Sequence, residues 1–399
     1  MSGAAHPVRV GLVGAGFAAA LHADGYRRIG DLDVQVVGVA ATSQRTAATF
    51  AQEHGIPTAY DDAYELIARE DVNVIDLCVP NDLHERYAVA AAEAGKHIIC
   101  EKPLSGYFGG AGASDPVGAT PKGVMLAEAL ASADRMVRAA ADHGVKLMYA
   151  ENWLYSPGIV KADRLLAASG GVLLEIRAQE CHSGSHAAYA RSWARAGGGA
   201  LLRLGSHPIC AALWLKAQEG LRREGRPIRA KAVMAEVGDL SKAPAFRREP
   251  EHYLVDAWQD VENWSTAIIT FEDDTRAVIL ASDIVLGGIE DTLQIMASNC
   301  RIDCDMSHSG LLRAYAPHDG VFGDEYIMEK VSTKAGWSYP SVDEEYLLGY
   351  PQEIRDFVAC VAQDREPRAT GRLGLEVVQI IYAAYQSAEE GRRVLLSIS

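Results

Sequence analysis

VRVGLVGAGFAAALHADGYRRI, residues 8–29, decides the fold. A β-branched apolar run ends in glycines, and a helical stretch follows at once. The loop G-A-G-F-A-A (14–19) has the spacing of a dinucleotide-binding turn, with Ala19 in the third glycine position. Gly14 permits the tight turn and Gly16 lets backbone amides approach a pyrophosphate. Phe17 and Ala18 open the helix, whose N-terminus supplies positive potential. A plain strand–turn–helix carries similar glycines, so the surrounding chain has to decide.

The surroundings repeat the unit. VQVVGVAA (34–41), NVIDLCVP (73–80) and KHIICEKP (96–103) read as buried strands. RTAATFAQEHG and HERYAVAAAEAG between them read as helices closed by glycine. VMLAEALASADRMVRAAADHG adds a helix and VKLMYAENW a further strand. Strands without alternation, separated by helices, predict a doubly wound parallel Rossmann sheet over residues 1–150. The Gly- and Pro-rich stretch 105–123 breaks the rhythm as a long loop right after Lys102.

Beyond residue 150 the strands lengthen, and FEDDTR between two apolar runs predicts a hairpin. The expectation is an α/β chain with an α+β domain at 151–399, built on a large, mostly antiparallel sheet. The helical segment 371–391 is expected to pack back onto the first domain.

A net charge of −15 opposes binding to nucleic acid or anionic membranes. No window approaches the roughly 20 apolar residues of a membrane span. The N-terminus runs directly toward a strand, so no signal peptide is expected. Seven scattered cysteines fit a reduced, cytoplasmic protein. Cys300 with Cys304 lacks partner ligands at zinc spacing, and the C-H-S-G-S-H run at 181–186 offers two histidines and a thiol.

Three further places carry chemistry. Dinucleotide sites that hold the ribose hydroxyls place an acid at the end of the second strand. Here Ala41 stands there, followed by Thr42, Ser43 and Arg45, which tilts the cofactor from NAD toward NADP. If Arg45 faces solvent, NAD remains the alternative. Lys102 ends the fourth long strand, on the edge where ligands bind. GGGALLRLGSHPIC (197–210) spaces Arg203 and His207 four apart, about one helical turn.

V-P-N-D-L-H (79–84), A-G-K-H-I-I-C-E-K-P-L (94–104) and G-G-G-A-L-L-R-L-G-S-H (197–207) resemble the Gfo/Idh/MocA oxidoreductases, and the likeness runs along nearly the whole chain. The resemblance implies a nicotinamide cofactor on the N-terminal domain, facing a cleft under the C-terminal sheet. It implies a sugar, glycoside or cyclitol substrate, and no metal, the run at 181–186 included. By the same resemblance Pro80, Asn81 and His84 lie along the cofactor. Glu101 and Lys102 lie near the nicotinamide and the reacting hydroxyl, and His207 matches the catalytic histidine. The sequence departs from the family at Arg203, where an aspartate is usual, and at Cys210, where many members carry another.

The mechanism this predicts gives His207 the hydroxyl proton and Lys102 the developing alkoxide charge. Arg203 stays protonated; it either holds an anionic group or pairs with a neighbouring acid. Asn152, Trp153 and Tyr155, together with Trp193, are expected to contact substrate or to fill core. Trp337 and Tyr339 are read as a flap over the cleft. A glycosidase working through a 3-keto intermediate and a silent dinucleotide sensor remain as alternatives. A homodimer or homotetramer through the open face of the second sheet is expected from the resemblance.

Overall fold

The computed structural model describes residues 6–307 and 312–396. These fall into two compact units. The first comprises residues 1–107, 127–155 and 349–378; the second holds 108–126, 156–348 and 379–399. The expected single boundary near residue 150 is thus replaced by several crossings. Three segments move: residues 108–126 join the second unit, and residues 151–155 and 349–378 join the first.

The first unit is built on β1 (Val8–Val13), β2 (Val34–Ala40), β3 (Ala59–Tyr60), β4 (Val74–Leu77), β5 (His97–Glu101) and β6 (Leu147–Ala150). All pair in parallel, in the order β3-β2-β1-β4-β5-β6. The order reverses between β1 and β4, the position at which doubly wound sheets bind ligands beyond their carboxyl ends. Helices α1 (Phe17–Arg27), α2 (Gln44–His54), α3 (Ala63–Ile67), α4 (His84–Glu93) and α5 (Lys122–Asp142) connect the strands. Leu12, Ala19, Ala23, Val39, Phe50 and Ile56 form a core cluster. Helix Tyr350–Ala362 belongs here because it packs on α1, where a Cβ at Gly25 would lie 3.0 Å from Ile354.

The second unit carries β7 (Leu173–Cys181), β8 (Ala230–Gly238), β9 (Trp264–Phe271), β10 (Arg276–Ser282), β11 (Glu290–Ala297) and β12 (Arg301–Asp305). A small pair, β13 (Ala314–Ala316) and β14 (Gly336–Ser338), stands apart, and β15 (Val394–Leu395) lines the edge. The large sheet runs β12-β11-β7-β10-β9-β8-β15. Only β7 and β10 pair in parallel within it; the other pairs are antiparallel. FEDDTR closes the β9–β10 hairpin, with Asp274 at φ 63°.

Alternation along these strands leaves an apolar stripe outside. Ile268 faces Met234 across β8 and Val278 across β10, and Ile268 and Met234 are exposed. The long 105–123 loop is ordered by Asp260, whose carboxylate accepts from the N–H groups of Gly118 (2.8 Å) and Trp193 (2.7 Å).

Candidate active site

In the first unit, a parallel sheet puts every strand's carboxyl end on one edge. That edge gathers the phosphate loop after β1, Thr42–Arg45 after β2, Pro80 and Asn81 after β4, Lys102 after β5 and Asn152 after β6. Gly14 has φ 117°, and a Cβ there would lie 2.1 Å from the Cys78 carbonyl oxygen, so no other residue fits. A Cβ at Gly16 would meet nothing within 4 Å. Gly16 begins α1 with no side-chain cap and no acid in the first turn, which leaves amide donors and positive potential for an anion. This geometry fits a dinucleotide pyrophosphate. Phe17 is exposed beside it, and Ala18 is partly buried.

Thr42 and Arg45 are exposed, and Ser43 caps α2, its hydroxyl accepting from the Thr46 N–H at 3.2 Å. That cap engages one of the hydroxyls expected for a phosphate. Asn81 is buried at the start of a 3-10 turn. His84 is fully buried: Nδ1 lies 3.0 Å from the Pro103 carbonyl and Nε2 3.0 Å from that of Val79. It therefore braces the segment after β4 against the one after β5.

Lys102 is half-buried, and its backbone N–H donates to Glu101 Oε2 at 2.9 Å. Glu101 Oε1 in turn meets Nε2 of His22 at 3.1 Å, and His22 Nδ1 meets Asp76 at 2.9 Å. Burial works against a low Glu101 pKa, but His22 and Lys102 hold it below the usual carboxylate value. Among the described residues, His22, Asp76 and Cys78 are the one set whose ligand-type atoms lie within 4.8 Å of one another. Among the described residues, those at 181–186 and 300–304 form no such set. Sequence periodicity marks His22 only as a buried position of α1.

Burial also pushes the Glu151 carboxyl, just past β6, up to about 8, with Lys102 pulling the other way and Glu101 adding to the rise. A carboxyl whose folded pKa exceeds its unfolded one stabilises fully below the unfolded value, and that contribution is lost as pH rises through the folded value. The thermal midpoint is therefore expected to fall between about pH 4.5 and about pH 8, and Glu151→Gln to lessen the fall. An unchanged slope in calorimetry at matched salt would contradict this.

Asn152, Trp153 and Tyr155 form a buried 3-10 turn rather than a continued strand. Tyr155 donates to Asp356 at 2.8 Å and its ring meets Phe357 edge-on at 5.7 Å. These contacts, all within the first unit, place Tyr155 in the core, the alternative the sequence left open for it.

In the second unit, the glycine triplet is held by a residue the sequence reading missed, Glu262. Its carboxylate accepts from Gly199 N–H (3.0 Å), Leu201 N–H (2.9 Å) and the Tyr385 hydroxyl (2.8 Å). It thereby satisfies the free N–H groups of the short helix Ala200–Arg203. A Cβ at Gly199 would lie 1.9 Å from the Glu262 carbonyl oxygen, which is why the turn needs glycine. Burial raises the Glu262 carboxyl to about 7 against these donors.

That helix stops at Arg203, and a second one, Ser206–Glu224, starts after Gly205. The single helical face expected for Arg203 and His207 is therefore broken. Arg203 is buried, donates to Asp283 at the end of β10, and lies with its guanidinium 5.1 Å from the Trp258 ring centroid. Burial weighs against its charge, but Asp283 outweighs it and keeps the guanidinium protonated. His182 Nδ1 accepts from Gly184 N–H at 2.9 Å, 3.6 Å from Asp283. His207 is buried, with Nε2 3.7 Å from Glu180 Oε2 on β7. Cys210 is fully buried on the same helix.

Trp193 is buried against Tyr385 (4.9 Å) with the Lys122 ammonium 4.8 Å from its ring centroid, and its Nε1 has no hydrogen-bond partner among the described residues. Trp337 and Tyr339 are exposed, the Trp337 ring packing on Tyr315 and Arg313 of the small hairpin region.

Comparison with known proteins divides the chain in sequence order. A model described as an oxidoreductase family, NAD-binding Rossmann fold, matches residues 8–111. Its companion, the C-terminal alpha/beta domain of the same family, matches 169–396. Levoglucosan dehydrogenase of Pseudarthrobacter phenanthrenivorans is 39% identical over 105 residues, which is 25% of this chain and 27% of that enzyme. Myo-inositol 2-dehydrogenase of Thermotoga maritima is 22% identical over 98% of each chain. The crystal structure of GenD2 from gentamicin A biosynthesis, in complex with NAD, superposes with a TM-score of 0.79 at 25% identity, over 99% of this chain and 98% of that one. No helix among the described residues is long and apolar enough to cross a membrane.

Proposed function

This chain belongs to the Gfo/Idh/MocA oxidoreductases, and on that premise we propose that it moves a hydride between a nicotinamide dinucleotide and a secondary alcohol of a sugar, glycoside or cyclitol derivative. One observation carries the reading: the phosphate loop and Lys102 share the carboxyl edge of one parallel sheet, with Gly14 shaped for the turn. The bound nicotinamide supplies the hydride acceptor or donor. Lys102 holds the reacting oxygen and stabilises negative charge on it. His207 accepts the hydroxyl proton, and the nearby Glu180 carboxylate favours the protonated ring. The Arg203 charge is answered by Asp283, which supports an uncharged polyol over an anionic substrate.

A panel of polyols and glycosides, each with NAD and NADP, tests this by absorbance at 340 nm. Turnover with reduction of the cofactor supports it. Glycoside cleavage without net reduction would replace it by the 3-keto route, and binding without any chemistry by the sensor.

NADP is proposed over NAD. Ala41 offers no carboxylate, and Thr42 and Arg45 are exposed at the end of β2. Arg45→Ala is expected to lower the NADP-to-NAD ratio of kcat/KM by about tenfold, the scale of one lost charge-assisted contact. An unchanged ratio would assign the preference elsewhere.

The apolar stripe of Met234, Ile268 and Val278 supports assembly as a homodimer or homotetramer. Ile268→Glu is expected to shift sedimentation to a smaller species. A native chain that sediments as a monomer contradicts the proposal.

A further inference from the structure

We infer that His22 is a positioning residue for Lys102: a buried imidazolium that ties the helix of the phosphate loop to the strand end of the reactive lysine by way of Glu101. The inference rests on the role proposed above for Lys102, and it adds a residue outside the motifs that suggested that role.

His22 lies in α1, which begins at the phosphate loop, and its exposure is 0%. Both ring nitrogens face carboxylates. Nδ1 is 2.9 and 3.0 Å from the two oxygens of Asp76, and Nε2 is 3.1 Å from Glu101 Oε1. A neutral imidazole donates from one nitrogen only and would turn a lone pair on the other carboxylate. The doubly protonated ring satisfies both. The second oxygen of Glu101 accepts the Lys102 N–H, so two successive contacts run from His22 of α1 to the lysine backbone.

The groups around the ring agree with this charge. Asp76 on β4 also accepts from the Tyr26 hydroxyl of α1 at 2.8 Å. Cys78, just past β4, has its Sγ 3.4 Å from Nδ1, and burial drives its thiol far up, keeping it neutral. Glu101 ends β5, and Glu151 follows β6. Glu353, on helix Tyr350–Ala362, is fully buried with neither carboxyl oxygen hydrogen-bonded among the described residues, and burial raises its pKa well above the usual value. Glu353 thus stays protonated and leaves Asp76 and Glu101 as the carboxylates that need a cation. Burial disfavours the charged His22 ring, and Asp76 together with Cys78 still carries its pKa well above the ordinary value. Removing the ring's charge leaves two buried carboxylates without a cation between them. Glu101 then takes a proton or shifts, and the Lys102 segment loses its anchor.

Two measurements need no substrate. Nitrogen-15 spectra of the full wild-type chain, with the His22 signals assigned by difference from His22→Gln or, if that fails to fold, from His22→Gln/Glu101→Gln, are expected to show both ring nitrogens protonated at neutral pH. A singly protonated ring overturns the proposal. Acylation of the Lys102 amine, followed by mass spectrometry with Lys146 as internal reference, is expected to change by about threefold or more in His22→Gln. If His22→Gln does not fold, His22→Gln/Glu101→Gln removes the charge pair together and is compared with Glu101→Gln. Equal Lys102 reactivity in those two supports the link, and a further change overturns it, as does wild-type reactivity in His22→Gln. With a substrate in hand, kcat is expected to fall about tenfold with cofactor KM held within about threefold, and the loss to be non-additive with Glu101→Gln. A wild-type chain that turns over no polyol sinks the proposed function while the spectra and labelling still report on His22.

Discussion

Lys102→Ala is expected to lower kcat by about a thousandfold while the affinity for the dinucleotide changes by less than about threefold. The separation follows from position. On the proposed reading the pyrophosphate is held by the loop after β1, whose turn is set by the close approach of Gly14 to the Cys78 carbonyl. Lys102 follows β5, and its backbone is held by the Glu101 carboxylate, so truncating the side chain leaves that anchor in place. The lost ammonium is a charge aimed at an oxygen that becomes more negative during the reaction, and such contacts count most in the transition state. Lys102→Arg keeps the charge but changes its shape and reach, so it is expected to recover only a small part. Cofactor titration by nucleotide fluorescence and steady-state kcat read the two arms. A variant that keeps a tenth or more of the wild-type kcat would remove Lys102 from the chemistry.

His207→Asn is expected to cost about a hundredfold to ten-thousandfold in kcat/KM for the oxidation direction, the usual range for a lost general base. Asparagine keeps hydrogen-bonding capacity at a similar place and cannot accept the proton. The acid limb of the wild-type pH–rate profile is expected to disappear in the variant, because that limb reports the loss of the neutral ring on protonation. Glu180 belongs in the same experiment. Its carboxylate lies 3.7 Å from Nε2 in a buried setting, so Glu180→Gln is expected to move the acid limb of the otherwise native enzyme to lower pH, the sign for removing a negative neighbour. An acid limb that survives His207→Asn unchanged would place the base elsewhere.

Much of the scaffold was legible. The strands at 8–13, 34–40, 74–77 and 97–101, the hairpin at FEDDTR and the glycine ends of α2 and α4 all appear where composition and turn chemistry put them. Local rules suffice for such elements, because buried parallel strands and φ-positive glycines carry their own signatures. One failure is equally specific. Arg203 and His207 satisfy helical spacing, yet Glu262 caps one short helix and Gly205 starts another, so spacing within 197–210 misled. Tyr155 has an aromatic ring and hydroxyl suited to a sugar, but Asp356, 201 residues away, takes the hydroxyl. His84 sits in a motif expected along the cofactor and is occupied by two backbone carbonyls.

The sequence by itself determined the Rossmann sheet, the phosphate turn, the strand-end lysine and the family. These depend on residues within one turn or one strand of each other, where sterics and hydrophobic period act directly. Only the tertiary structure decided what each charge does. It paired Arg203 with Asp283, placed Glu180 beside His207, and set His22 between Asp76 and Glu101. Those partners stand 80, 27, 54 and 79 residues apart. A buried charge is governed by the nearest opposite charge in space, and strand order, not chain order, brings that partner within reach.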